Sequence, residues 1–142
     1  MQNLLRVLFI AIIALMLSNH VAFAETNAIS FLLSGEEKFK AKDYSGAIAD
    51  YSKALELKPG FPEAYLNRGF AKRTIGDTEG AKIDFKKSIE VDPTPKDAAA
   101  YYQRALAKSA LGDKDGAFSD FKRAADHGDG NAKAWLKENG NK

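Results

Sequence analysis

Apolar residues recur along this chain at helical spacing, and the spacing itself repeats. Tyr44, Ala47, Ile48, Tyr51 and Leu55 fall on one stripe of a helix. Pro59 ends that stripe, because the residue before a proline is pushed out of helical geometry. A shift of 34 residues turns Asp43–Pro59 into Asp77–Pro93, and a further 36 brings a third copy, decayed at its end, from Asp113. Ala47, Ala81 and Ala117 coincide under these shifts, as do Asp50, Asp84 and Asp120, and Tyr51, Phe85 and Phe121. Each copy is preceded by another helical segment: Phe31–Ala41, Phe61–Ile75 and Ala98–Leu111. Glu25–Ser30 reads as a short lead-in to the first of them. Gly76 and Gly112 read as left-handed helix stops, and Asp43, Asp77 and Asp113 as N-caps of the helices that follow. Ile83, Phe85 and Ile89 are expected on the buried side of the second copy. A last helix, Asn131–Glu138, puts Trp135 in register with Tyr65 and Tyr101.

The pattern predicts an all-α chain of three antiparallel helix pairs and a C-terminal capping helix. Close helix crossings need small residues, and Gly35, Gly69 and Ala105 supply them on the first helices. Ala54, Ser88 and Ala124 join the alanines at 47, 81 and 117 on the second. Arg68 and Arg104 share one repeat position and the three aspartates another, so arginine–aspartate pairs are expected. They lie either within a repeat (Arg68 with Asp84, Arg104 with Asp120) or between repeats (Asp50 with Arg68, Asp84 with Arg104). Lys38, Lys72 and Lys108 read as a solvated edge. Gly46, Gly80 and Gly116 open every second helix, and close approach of a neighbouring backbone is the reading they suggest.

The first 24 residues follow another logic. Arg6 is followed by the unbroken apolar run Val7–Leu17, then by Ser18, Asn19 and His20, then by Ala22-Phe23-Ala24. That is the order of a secretory signal peptide cleaved before Glu25. An uncleaved inner-membrane anchor is the alternative, but the run is shorter than the roughly 20 residues a spanning helix needs. The chain has no cysteine, hence no thiol for lipid attachment and no disulfide. Residues 25–142 are expected to form one exported, periplasmic domain held by apolar packing alone. The net charge of the whole chain, +2, gives no reason to expect nucleic acid as a partner.

Little here supports catalysis. His127 is the one histidine after the leader, at a helix end beside Gly128, where a positive charge suits the helix dipole. A Ser-His-Asp or Cys-His site needs more, and a zinc site needs several His or Cys ligands. Asp113-Lys114-Asp115-Gly116 lacks the further ligands of a calcium loop. The expectation is no enzyme, no metal and no cofactor.

The period and its small and aromatic positions resemble the tetratricopeptide repeat. The resemblance covers repeats at about 28–61, 62–95 and 98–131 with a capping helix at 131–139, and the end from Ala124 to Leu136 is faintly similar to a Sel1-type repeat. It implies a right-handed solenoid whose first helices line a concave groove that holds a protein or peptide partner. Carried over residue by residue, that face comprises Leu33, Phe39, Leu66, Asn67, Phe70, Arg73, Tyr102, Gln103, Leu106, Lys133 and Lys137, with Leu32, Glu36, Lys40 and Leu136 among them. Its apolar members could instead be covered by the lead-in or by self-association with a second copy. Members that clamp a chaperone's C-terminal carboxylate carry lysine, arginine and asparagine at set positions of this groove. Asn67 fits one of these. Leu32, Glu36, Ala99 and Gln103 occupy the others and do not fit.

Overall fold

In a computed structural model, which describes residues 2–140, the described residues form seven helices. They are α1 (Gln2–Lys40), α2 (Tyr44–Leu57), α3 (Pro62–Thr74), α4 (Thr78–Val91), α5 (Ala98–Ala110), α6 (Lys114–Asp126) and α7 (Gly130–Asn139). Neighbours pack in chain order, α1 on α2, α3 on α4, α5 on α6, with α7 laid against α6. The three pairs and the cap are those expected from the sequence, as a solenoid.

α1 is longer than expected. No lead-in interrupts it, because no glycine or proline occurs before Gly35 to stop a helix. Its first half packs on almost nothing: Phe9 and Phe23 are 66% and 69% exposed. By length and composition alone, this helix could cross a membrane. Packing begins at Ala28, which is fully buried, and Glu25 meets the Lys58 ammonium at 2.6 Å.

Tyr51, Phe85 and Phe121 are the large side chains at the centre of the three pairs, each 1% exposed. Their rings lie directly on the facing helix. A Cβ built on Gly35 would stand 2.5 Å from the Tyr51 ring, and one on Gly69 2.7 Å from the Phe85 ring. Hence the first helix needs a small residue there. Ile83 departs from expectation: it is 61% exposed. It shares its repeat position with Ala49 and Ser119, also exposed, on the outer side of the second helix.

The glycines that open the second helices have a local cause, not an approaching backbone. Asp43, Asp77 and Asp113 cap these helices by accepting from the N–H of Gly46, Gly80 and Gly116, each at 2.9 Å. With the aspartate ψ between 73° and 81°, the carboxylate folds so close that an added Cβ would meet it at 2.1 Å. Asp97 and Asp129 cap α5 and α7 from an extended backbone, ψ 171° and 121°, and there alanine occupies the same place. Gly80→Ala should therefore displace the cap and destabilise by about 1 kcal/mol, the usual worth of an N-cap. Urea unfolding would show it. An unchanged midpoint would mean that the tight turn relaxes at no cost.

The aspartates do not pair between repeats. Arg68 donates Nε and one terminal nitrogen to the two Asp84 oxygens, both at 2.8 Å, and Arg104 does the same to Asp120 at 2.7 Å. Lys72 and Lys108 complete the two clusters at 2.8 and 2.7 Å, and Lys38 reaches Asp50 at 2.6 Å beside the Ser34 hydroxyl. The lysines are therefore structural partners of buried carboxylates, not a solvated edge. Each lies four residues after Ser34, Arg68 or Arg104, on the same helix face. Contact between repeats comes from the arginine's remaining nitrogen: Arg68 donates to Ser52 at 3.0 Å, and Arg104 to the Pro93 carbonyl.

Candidate functional site

Successive first helices touch one another, α1 with α3 and α3 with α5, so they converge on one inner face. Side chains there come from turns that the seam does not consume. Between α1 and α3 they enclose a groove of about 530 Å³. Phe39 and Phe70 form its apolar walls, Tyr51 its floor, and Glu36, Lys40, Asn67 and Arg73 its polar rim. The Asn67 amide donates to Glu36 Oε1 at 3.1 Å and closes one side. Burial pushes the Tyr51 hydroxyl up to about 12, helped by the charges of Glu36 and Asp50, so it stays protonated.

Of the residues expected on this face, Glu36, Phe39, Lys40, Asn67, Phe70 and Arg73 meet in the groove. The others are spread. Leu66 is core, 2% exposed and packed with Ala81, Phe85 and Ala107. It turns into the seam while its neighbour Asn67, about 100° round the helix, faces the groove. Leu32 is likewise buried, whereas Leu33 is 54% exposed. Tyr102 and Leu106 pack half-buried against the C-terminal core, and Lys133 and Lys137 are exposed on α7. The aromatic members also serve two masters. Phe70 meets Phe85 edge-on at 5.1 Å and Tyr102 meets Phe121 at 5.6 Å. Truncating them would loosen the core, so they are poor probes of binding.

Two features escaped sequence reasoning. Glu63 lies half-buried on α3 beside Gln103. Burial pushes its carboxyl up, the Gln103 amide offsets part of that, and the charge of Glu36 adds to the rise. Ile29, Glu63, Ala99 and Lys133 share one repeat position, which was the available signal. The second is Phe118, 41% exposed near Trp135 in a cleft of about 490 Å³ between α6 and α7. Lys82 holds that position in the preceding repeat. His127 caps the end of α6, and its ring stacks on Tyr101 at 5.5 Å.

Comparison with known proteins gives the same frame. Residues 35–76 match a family described as TPR repeat, and residues 62–95 and 98–126 one described as tetratricopeptide repeat. Small glutamine-rich tetratricopeptide repeat-containing protein 2 of Mycosarcoma maydis is 41% identical over 59 residues, 42% of this chain and 17% of that protein. The chain thus spans less than a fifth of that relative. Among solved structures, the Sgt2 TPR domain from Aspergillus fumigatus superposes with a TM-score of 0.57 at 27% identity, over 78% of this chain and 75% of that one. The TPR2B-domain:pHsp70 complex of yeast Sti1 gives 0.50 at 27%, over 70% and 78%.

Proposed function

This chain belongs to the tetratricopeptide-repeat family, and from that premise we propose that it is an exported, non-catalytic adaptor holding a protein or peptide partner in its concave groove. The observation that carries the reading is the groove between α1 and α3, walled by Phe39 and Phe70 and rimmed by charge. The groove needs little reordering on contact, because helices fix its walls. The Sti1 domain that it resembles was solved as a pHsp70 complex, which favours a peptide-sized ligand here too. The clamp positions filled by Leu32, Glu36, Ala99 and Gln103 argue for a different partner from a chaperone's terminal carboxylate.

Export to the periplasm rests on Val7–Leu17 and Ala22-Phe23-Ala24. A second reading, a membrane-tethered structural component of an envelope assembly, is favoured by one feature: α1 runs unbroken from its unpacked apolar half into the first repeat. The N-terminus of the protein isolated from its own cells separates the two. A start at Glu25 supports the exported adaptor, and retention of Met1 the tethered form.

A photo-crosslinking residue tests the groove. Placed at Thr74 it lines the groove, and placed at Lys86 it lies exposed on α4. The expected result in intact cells is a discrete adduct from position 74 and none from position 86. Adducts from 86 alone would remove the groove as the site.

A further inference from the structure

The groove rim carries two cations, Lys40 and Arg73, against one carboxylate, Glu36. Each cation of the repeat seams is committed: Lys38, Arg68, Lys72, Arg104 and Lys108 all hold a buried aspartate. Lys40 and Arg73 on the groove rim differ. Among the described residues, neither has a carboxylate within 4 Å nor makes a side-chain hydrogen bond. Arg73 is nonetheless held in place. Its guanidinium lies 5.0 Å from the Phe70 ring and 5.7 Å from that of Phe85, an arrangement that costs the group none of its N–H donors. The one carboxylate on the rim, Glu36, accepts from the neutral Asn67 amide at 3.1 Å, and the two cations outnumber it.

Resting on the groove reading above, we propose that the α1–α3 groove seats an internal acidic-apolar segment of a partner protein. An aliphatic or aromatic side chain enters between Phe39 and Phe70, and a side-chain carboxylate next to it in sequence reaches Lys40 and Arg73. A chain-terminal carboxylate is not the ligand, because the positions that would grip one hold Leu32, Glu36, Ala99 and Gln103. A basic segment meets two cations at the rim, and an all-apolar one leaves them unpaired.

Four fluorescent peptides test this against the protein as purified from cells. Three are capped at both ends and carry a Leu-Phe core flanked by two glutamates, two glutamines or two lysines on either side. The fourth is the glutamate peptide with a free C-terminus. The glutamate peptide should bind about five- to tenfold more tightly than the glutamine one, since a rim ion pair contributes of order 1 kcal/mol. The lysine peptide should be weakest, and the free C-terminus should add nothing. The advantage should fade as salt screens it and vanish in Lys40→Gln combined with Arg73→Gln, which should bind the glutamate and glutamine peptides alike. Equal binding of the glutamate and glutamine peptides, a preference for lysine, or an advantage that survives the double change would overturn the inference. So would failure of all four to bind while position 74 still crosslinks in cells, which leaves the groove reading standing. Loss of the crosslink as well would end both.

Discussion

Phe85→Ala is expected to cost ~3–5 kcal/mol, the range for an emptied aromatic core site. Three observations set that size. The ring is 1% exposed, so all of its apolar surface leaves water on folding. It lies on the bare backbone of Gly69, where no side chain can move in to fill the space. The Phe70 ring loses its edge-on partner at the same time. A small domain has only about 5–15 kcal/mol in total, so the loss is a large share of what holds the fold. Repeat arrays are stabilised by contacts between nearest neighbours, and α3–α4 is the pair with a neighbour on both sides. The midpoint of urea unfolding should fall sharply, and hydrogen exchange should spread through α3 and α4 and into the faces they share with α2 and α5. A loss under about 0.5 kcal/mol, typical of surface sites, would show that the ring is not the centre of its pair.

That the central rings were legible in the sequence, while half the inner face was not, has a geometric reason. Tyr51, Phe85 and Phe121 each recur beside matched small residues, and only one pairing of helices satisfies all of them. The inner face offers no such redundancy. Leu66 and Asn67 are adjacent, and a rotation of about 100° per residue separates core from groove. The resemblance could name both but could not say that α5 would press close enough to bury the leucine. The lysines at 38, 72 and 108 are a different failure. Their spacing of four from Ser34, Arg68 and Arg104 was readable as one helix face, and the aspartates already needed partners. A lysine taken by itself is satisfied by solvent, and only the shared face points to the aspartate. Ile83 departs for the opposite reason: its own hydrophobicity points inward, whereas Ala49 and Ser119 at the same repeat position mark an outer side. The length of α1 was visible as a stretch free of glycine and proline, but the order of apolar run, polar break and small residues within it resembles a cleavage signal and spoke for a boundary that helix physics does not impose.

Removing both cations from one buried aspartate should do more than destabilise; it should reverse a pH dependence. Asp120 is buried with Arg104 on both of its oxygens and Lys108 on one. Burial is the largest single influence on its carboxyl and acts to raise it. Hydrogen bonds from Arg104 and Lys108, with their charges, outweigh burial and hold it below its ordinary 3.8. A carboxyl depressed on folding contributes stability that is complete above 3.8 and is lost as pH falls through the lower folded value. Asp50 behaves alike: burial is offset by Lys38 and Ser34, with Lys53 adding charge. In Arg104→Met with Lys108→Met, burial acts on Asp120 unopposed, and its folded value rises above the unfolded one. The charged form then opposes folding at neutral pH, at about 3–5 kcal/mol for a stranded buried charge, and protonation relieves that cost as pH falls. Urea unfolding of both proteins between neutral pH and about pH 3 isolates this carboxyl, because every other acid is common to the two. The wild type should lose stability on acidification more steeply than the double variant, so the gap between them narrows as pH falls. Adding Asp120→Asn to the double variant should recover much of the neutral-pH loss and remove the difference in slope. A gap that stays constant with pH would mean that the cations act by packing alone and that the aspartate tolerates burial without them.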